Sequence, residues 1–221
     1  MTDHSMTAAM HAMVQVRPWT ATEFALRLLM WAAMMVAMMV PTAVPMTLVY
    51  AAVARKAAAQ NNPLAPTFVF VAGYIAMWSL FSVAATAAQR GLDQLALLSP
   101  MMVSNSALLG STLLIGAGVY ELTPLKQACL RHCRAPAQFL SQHWHTGTAG
   151  AFRMGLRLGA YCLGCCWVLM GLLFVGGVMN LLWIAAIAAF VLLEKTIPFG
   201  EAGGWFGGAA MIFAGLVSLA W

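Results

Sequence analysis

The chain has 221 residues, of which 62% are hydrophobic and 8% are charged. Because soluble domains carry about 25% charged residues, this composition excludes a soluble globular protein. It favours an all-α, polytopic membrane helix bundle in contact with the lipid bilayer. The net charge of +5 does not indicate a nucleic acid partner, since basic residues of membrane proteins collect in cytoplasmic loops beside anionic lipid.

About six apolar stretches approach the 20 or so residues that a helix needs to cross the hydrocarbon. The predicted spans are residues 24–50, 66–88, 95–119, 155–176, 179–195 and 204–221. The fourth and fifth spans come from one long apolar run, which Gly176-Gly177-Val178-Met179-Asn180 divides because this sequence favours a tight reversal. We therefore predict an N-terminal arm of residues 1–22 and a single transmembrane domain of residues 23–221. The largest connection within that domain is 120–153.

Lysine and arginine are divided unevenly between the two sides of such a bundle. One side carries Arg55, Lys56, Lys126, Arg131, Arg134, Arg153, Arg157 and Lys195, and the other carries Arg17, Arg27 and Arg90. The positive-inside rule assigns the richer side, and with it the 120–153 connection, to the cytoplasm. We therefore expect a multi-pass protein of the inner (cytoplasmic) membrane, with both termini outside the cytoplasm.

The N-terminal arm mixes methionine and histidine, which are good weak ligands for copper. These residues are Met1, His4, Met6, Met10, His11 and Met13. The arm is predicted to collect copper on the outer face, or else to be an ordinary polar tail.

Just beyond the arm, we expect Arg27 to pair with Glu23 one helical turn earlier.

The first predicted span carries a stripe of methionines, because residues four apart share one face of a helix. Met30, Met34 and Met38 form one row, and Met35 and Met39 form the next. Thioether sulfur suits Cu(I), so Met34, Met35, Met38 and Met39 are candidate metal ligands. A methionine stripe is also a common packing surface between helices, and the stripe taken alone favours packing.

Two prolines interrupt the hydrogen bonding of the same helix. Pro41 cannot donate to the carbonyl of Ala37, and Pro45 cannot donate to that of Pro41. We expect the freed carbonyls to face protein or a water-filled cavity, because lipid offers no donor.

The five cysteines, an odd count, do not indicate a fold held together by disulfides. Cys162, Cys165 and Cys166 share one face of the fourth span by helical geometry. Thr123-Pro124 and Pro136 bound a short predicted helix that carries Cys129, His132 and Cys133.

We expect this short helix to turn a face made of Leu122, Leu125, Cys129, His132 and Cys133 toward the bundle. Its two thiols and imidazole would then approach the three thiols of the fourth span. Such a cluster suits Cu(I), with Zn²⁺ the less favoured metal. Packing of small apolar thiols and a redox-active dithiol remain alternatives.

Three further charges lie near predicted helix ends, namely Glu121, Glu194 and Lys195. Charged side chains at such positions commonly extend to the interface. We therefore expect these three side chains to reach headgroups or solvent.

Several motifs together resemble a bacterial family of uncharacterised integral membrane proteins that are predicted to bind metal. The motifs are the segment Met34 to Pro41, the segment Tyr120 to Lys126 followed by Cys129 and Cys133, the segment Gly159 to Trp167, and the later residues Met170, Met179-Asn180, Trp183 and Glu194-Lys195. Ile184 departs from the pattern, where methionine would be expected after the tryptophan. The resemblance covers residues 28 to 197 or so, and it implies a bacterial integral membrane protein that binds metal.

These patterns predict a non-enzymatic inner-membrane protein that binds a soft metal, most consistently Cu(I), for transport or delivery to a metalloenzyme. Its expected partners are a copper enzyme or other membrane subunits. A non-catalytic structural or assembly subunit of a larger membrane complex is the alternative, because helices rich in Met, Ala and Gly also suit lateral packing. A membrane oxidoreductase that uses a thiol pair or a quinone is a third interpretation.

Overall fold

The computed structural model describes residues 19–61, 64–95, 107–197 and 200–220. Within these ranges the helices are α1 (Ala21–Ala59), α2 (Thr67–Gln94), α3 (Ala107–Glu121), α4 (Pro124–Arg134), α5 (Pro136–Gln142), α6 (Gly147–Gly171), α7 (Leu173–Gly176), α8 (Leu181–Thr196) and α9 (Gly200–Ala220). The described residues contain no strand, so the predicted all-α bundle is confirmed.

Four stretches in the described part of the chain are long and apolar enough to cross a membrane. They are α1, α2, residues 147–176 of α6 and α7, and residues 203–220 of α9. A fifth arises if α3 and α4, which are bent by 64° at their junction, form one span. At the predicted fifth span, α8 has only 16 residues, and residues 96–106 of the predicted third span lie outside the described ranges. The long helices are compatible with a membrane protein.

The reversal predicted between the fourth and fifth spans is confirmed. Gly177 has a φ of 92°, a backbone conformation that favours glycine because it lacks a Cβ. The side chain of Asn180 then accepts a hydrogen bond from the backbone N–H of Trp183 at 3.2 Å, which caps the start of α8. A glycine turn followed by an asparagine cap therefore reverses the chain, so that α8 runs back along α6.

The first helix runs without a break through both prolines, since α1 continues to Ala59. Ala37 and Pro41, whose carbonyls lose their donors, lie on the exposed side of the helix. The expectation that the freed carbonyls face protein or a water-filled cavity stays a prediction, and the other described helices leave these two residues exposed. The reason is the orientation of α1, which turns its methionine stripe inward and its prolines outward.

Two interhelical contacts fix one end of the α1–α2 pair. Arg27 donates to the Asp93 carboxylate at 2.8 Å, so its ion-pair partner lies on the neighbouring helix. Glu23 completes a capping box with Thr20 at the start of α1. One turn further into the bundle, the Trp31 indole N–H donates to the buried Gln89 side chain at 2.7 Å.

Glycines bring α2 and α6 into backbone contact. A Cβ at Gly73 would collide with the Phe152 carbonyl oxygen, and one at Gly155 would collide with that of Phe70. Small residues at such crossings permit the close approach that stabilises helix pairs in membranes. This contact sets the position of α6, which carries the three clustered thiols.

Replacing Gly155 with alanine should lower the free energy of unfolding by about 1–3 kcal/mol, because overpacking forces the two backbones apart. Thermal unfolding of the purified protein in detergent measures this effect. Gly91→Ala is the matched control on α2, since no described atom lies within 4 Å of its Cβ position. Equal losses of stability in the two variants would contradict the close packing of α2 against α6.

Candidate metal centre

The short helix α4 forms as its sequence predicts. Thr123 caps it by accepting a hydrogen bond from the Lys126 N–H, Pro124 occupies the first turn, and the helix ends at Arg134. The Thr-Pro start works because proline has no N–H to satisfy and its fixed φ suits the first helical position.

The three thiols of α6 are buried together inside the bundle. Cys162, Cys165 and Cys166 are each at most 2% exposed. The Cys165 and Cys166 thiols donate to the Cys162 carbonyl oxygen at 3.0 and 2.9 Å. None of the five cysteines of the chain forms a disulfide, so each is available to bind metal as a thiolate.

The thiols of α4 and α6 meet. The Cys133 side chain lies beside the thiols of α6, because it borders the same crevice as Cys162, and the Cys129 sulfur lies 2.8 Å from the position that a Cβ at Gly164 would occupy. A larger residue at Gly164 would therefore displace the Cys129 thiol. The predicted convergence of the two cysteine segments is confirmed, while their binding of metal stays a prediction.

The imidazole of His132 has other neighbours. Its ring stacks on Tyr161 with centroids 4.2 Å apart and planes 2° from parallel. Its Nδ1 atom lies 2.8 Å from the Ala128 carbonyl oxygen, and the His143 ring is 6.4 Å away. The contacts described for His132 are thus aromatic and backbone contacts, and its role as a ligand remains a sequence-based prediction.

The inward face of α4 differs from the predicted one. Lys126 and Leu130 are buried, whereas Leu125 is 62% exposed. The prediction that Leu125 faces the bundle is therefore wrong, because α4 rotates to bring the Lys126 ammonium to two carboxylates. Cys133 remains near the inward face, since it lies seven residues after Lys126 and thus about two turns along the same side.

Lys126 lies between Glu121 and Glu194 in a buried ion cluster. Its Nζ atom contacts the Glu121 carboxylate and lies 2.8 Å from both Glu194 oxygens. Gly204 of α9 covers the cluster, because a Cβ there would lie 3.1 Å from Glu194 Oε1 and 3.5 Å from Glu121 Oε2. Arg134 adds a second cation by donating to the Glu194 carbonyl oxygen.

The expectation that Glu121, Glu194 and Lys195 reach headgroups or solvent is wrong, since all three are at most 8% exposed. A charge is retained in an apolar interior only when it is paired, and here the partners come from other helices. The available sequence signal was that Glu194 and Lys195 end an apolar stretch, where an ionisable residue is a functional candidate by default.

Lys195 belongs to a second polar cluster, centred on the sulfur of Cys162. Its Nζ atom lies 2.8 Å from that sulfur and 3.3 Å from the Thr42 hydroxyl oxygen. The Tyr74 hydroxyl lies 3.0 Å from the same sulfur and donates to the Met39 carbonyl oxygen at 3.0 Å. Tyr74 and Thr42 were not singled out from the sequence, because an isolated Tyr or Thr in an apolar helix carries no distinctive pattern.

A small crevice opens beside this cluster. It encloses about 10 Å³, which is roughly the space that one water molecule needs. Its polar and sulfur-containing lining comes from five helices and comprises Thr42, Met46, Tyr74, Cys133, Cys162 and Lys195. The crevice is the point where α1, α2, α4, α6 and α8 meet.

The methionine stripe faces the interior of the bundle. Met35, Met38 and Met39 are at most 5% exposed and pack in the core, and Met34 is partly buried against them. Among the described residues, no group of three or more His, Cys, Asp or Glu side chains is arranged to hold a metal ion. Met1, His4, Met6, Met10, His11 and Met13 lie outside the described residues.

Comparison with known proteins identifies one family. A family model described as "PpoB2: Copper chaperone" matches residues 28–218. Comparisons with curated proteins and with solved structures find no match. The match covers most of the chain and supports the predicted copper-related role.

Replacing Lys126 with methionine should lower the free energy of unfolding by about 3–5 kcal/mol, because it leaves two buried carboxylates without their cation. Unfolding in mixed micelles measures the loss. Lys56→Met, at an exposed position of α1, is the control and should leave stability nearly unchanged. Adding Glu121→Gln and Glu194→Gln to Lys126→Met should restore part of the lost free energy of unfolding. A triple variant that is less stable than Lys126→Met alone would argue against charge pairing.

Proposed function

We propose that this chain, which belongs to the PpoB2 copper chaperone family, carries Cu(I) as cargo within a membrane and delivers it to a copper enzyme. The observation that supports this most directly is the meeting of Cys133 with Cys162 at one crevice, next to Cys165 and Cys166. Soft thiolate ligands select Cu(I) over harder cations.

Burial of these thiols suits a carrier of a reactive ion. Cys162, Cys165 and Cys166 are enclosed by the bundle, which limits access of water and oxidants to the metal. A site of two or three sulfurs leaves Cu(I) free to accept a further ligand from a partner. Release can then proceed by exchange of one sulfur at a time, without a free ion.

Two buried ammonium groups lie within electrostatic reach of the thiols. The Lys195 Nζ atom lies 2.8 Å from the Cys162 sulfur, and Lys126 lies on α4, the helix that also carries Cys129 and Cys133. Thiols lose their protons when they bind metal, so the site becomes more negative on loading. The lysines stabilise that added charge in an interior where an unpaired charge is costly.

The remaining predicted elements have roles in the same scheme. Met35, Met38 and Met39 provide buried thioethers on α1, the helix that also supplies Thr42 to the Cys162 cluster, and they pass Cu(I) or hold it briefly. The N-terminal arm collects copper. The protein catalyses no reaction of its own, and it resides in a bacterial inner membrane with its thiols toward the cytoplasmic side.

Purified protein loaded with Cu(I) under anaerobic conditions should retain about one copper per chain, the stoichiometry expected for a single buried site. The triple variant Cys162→Ser, Cys165→Ser, Cys166→Ser should lose it, because hydroxyl is a poor ligand for Cu(I). Elemental analysis after desalting gives the ratio. Met154→Leu, a conservative change at a buried α6 position, is the matched control.

Wild-type protein that retains no copper under these conditions would overturn the proposal. If such metal-free protein also co-purified stoichiometrically with other membrane subunits, the structural or assembly role would replace it. Copper bound equally by the triple variant would place the site elsewhere in the chain.

A further inference from the structure

We infer that the crevice between α1, α4 and α6 is a Cu(I) site whose ligands are the sulfurs of Met46, Cys133 and Cys162. This inference rests on the proposed copper function and assigns its site. Met46 lies outside the methionine stripe singled out by the sequence. It is two turns beyond Met38 and Met39, and it is 2% exposed.

The lining of the crevice fits a soft, small ion. Met46, Cys133 and Cys162 come from three different helices and border the same volume of about 10 Å³, the space of roughly one water molecule. The described lining contains no carboxylate and no imidazole. Two thiols and one thioether form a donor set that favours Cu(I) and disfavours harder cations.

Charge balance points to a monovalent ion. Two thiolates and Cu(I) carry a net charge of −1, and the Lys195 ammonium, 2.8 Å from the Cys162 sulfur, brings the group to neutrality. A divalent ion such as Zn²⁺ in the same place would leave a buried positive charge, which costs free energy in an apolar interior. The lysine thus stabilises the loaded site and discriminates against divalent metals.

Tyr74 positions the Cys162 sulfur, and Thr42 contacts the Tyr74 hydroxyl and the Lys195 ammonium. The Tyr74 hydroxyl has one hydrogen and lies 3.0 Å from both the Met39 carbonyl oxygen and the Cys162 sulfur, and 3.4 Å from the Thr42 hydroxyl oxygen. While Cys162 is a thiol, its S–H can donate to Tyr74, which in turn donates to Met39. After Cys162 loses its proton to metal binding, the hydroxyl can turn toward the thiolate, so no buried donor is left unpaired.

Replacing Met46 with leucine tests the thioether ligand. The variant should weaken Cu(I) binding about tenfold or more, since losing even an outer-shell partner typically costs about 10–100-fold and Met46 is proposed as a direct ligand. X-ray absorption should show one sulfur fewer around copper. Leucine matches methionine in size and is generally tolerated in cores. Met154→Leu, a buried methionine of α6 that does not border the crevice, should bind copper as the wild type does.

Replacing Lys195 tests the charge argument. Lys195→Leu, which removes the charge and adds no sulfur, should reduce the preference for Cu(I) over Zn²⁺ about tenfold, measured by competition with a chelator for each metal, since a missing second-shell partner typically costs 10–100-fold in affinity. Lys195→Arg, which keeps the positive charge, should retain most of the preference. An equal loss in both variants would indicate a packing defect and would overturn the charge argument.

These outcomes separate the two proposals. Copper bound with wild-type affinity and an unchanged sulfur count in Met46→Leu would overturn the assignment of the crevice while leaving the chaperone function intact. A wild-type protein that binds no copper would remove both. Equal weakening by Met46→Leu and Met154→Leu would show a general packing effect and would also overturn the assignment.

Discussion

The arrangement of this bundle depends on keeping two lysines inside an apolar protein. An ammonium group is retained there only if other helices supply an anion or strong hydrogen-bond acceptors. Lys126 finds two carboxylates, from α3 and α8, and Lys195 finds a thiol from α6 together with a hydroxyl from α1. These pairs fix how α4 and α8 are rotated, and the rotation of α4 brings its thiols to α6.

Much of the fold follows from the sequence, because hydropathy and the positions of glycine and proline are local properties. The reversal at Gly177, the start of α4 at Thr123-Pro124 and the shared face of Cys162, Cys165 and Cys166 were all predictable in this way. The ion cluster was not. A charged side chain near a helix end can extend to the membrane interface or pair with a residue of another helix. Only the tertiary arrangement decides between these two outcomes. The rotated face of α4 has the same origin, since Lys126 is buried and Leu125, which was predicted to be buried, is exposed.

Packing and metal handling need not be competing interpretations of the methionines. The stripe of Met35, Met38 and Met39 lies in the core, where a flexible side chain fills irregular gaps between helices. Met46 on the same face adjoins the thiols. A single helical face therefore serves as a packing surface along most of its length and as a source of ligands at one end.

The position of Gly204 in the chain implies an order in which the ion cluster assembles. Glu121, Lys126 and Glu194 all precede α9 in the chain, and the glycine that covers them belongs to this last helix. The three charges are therefore synthesised before their cover and can find one another while water still reaches them. Docking of α9 then removes the water from two carboxylates that already hold the Lys126 ammonium between them, so neither carboxylate is carried into the interior without a cation.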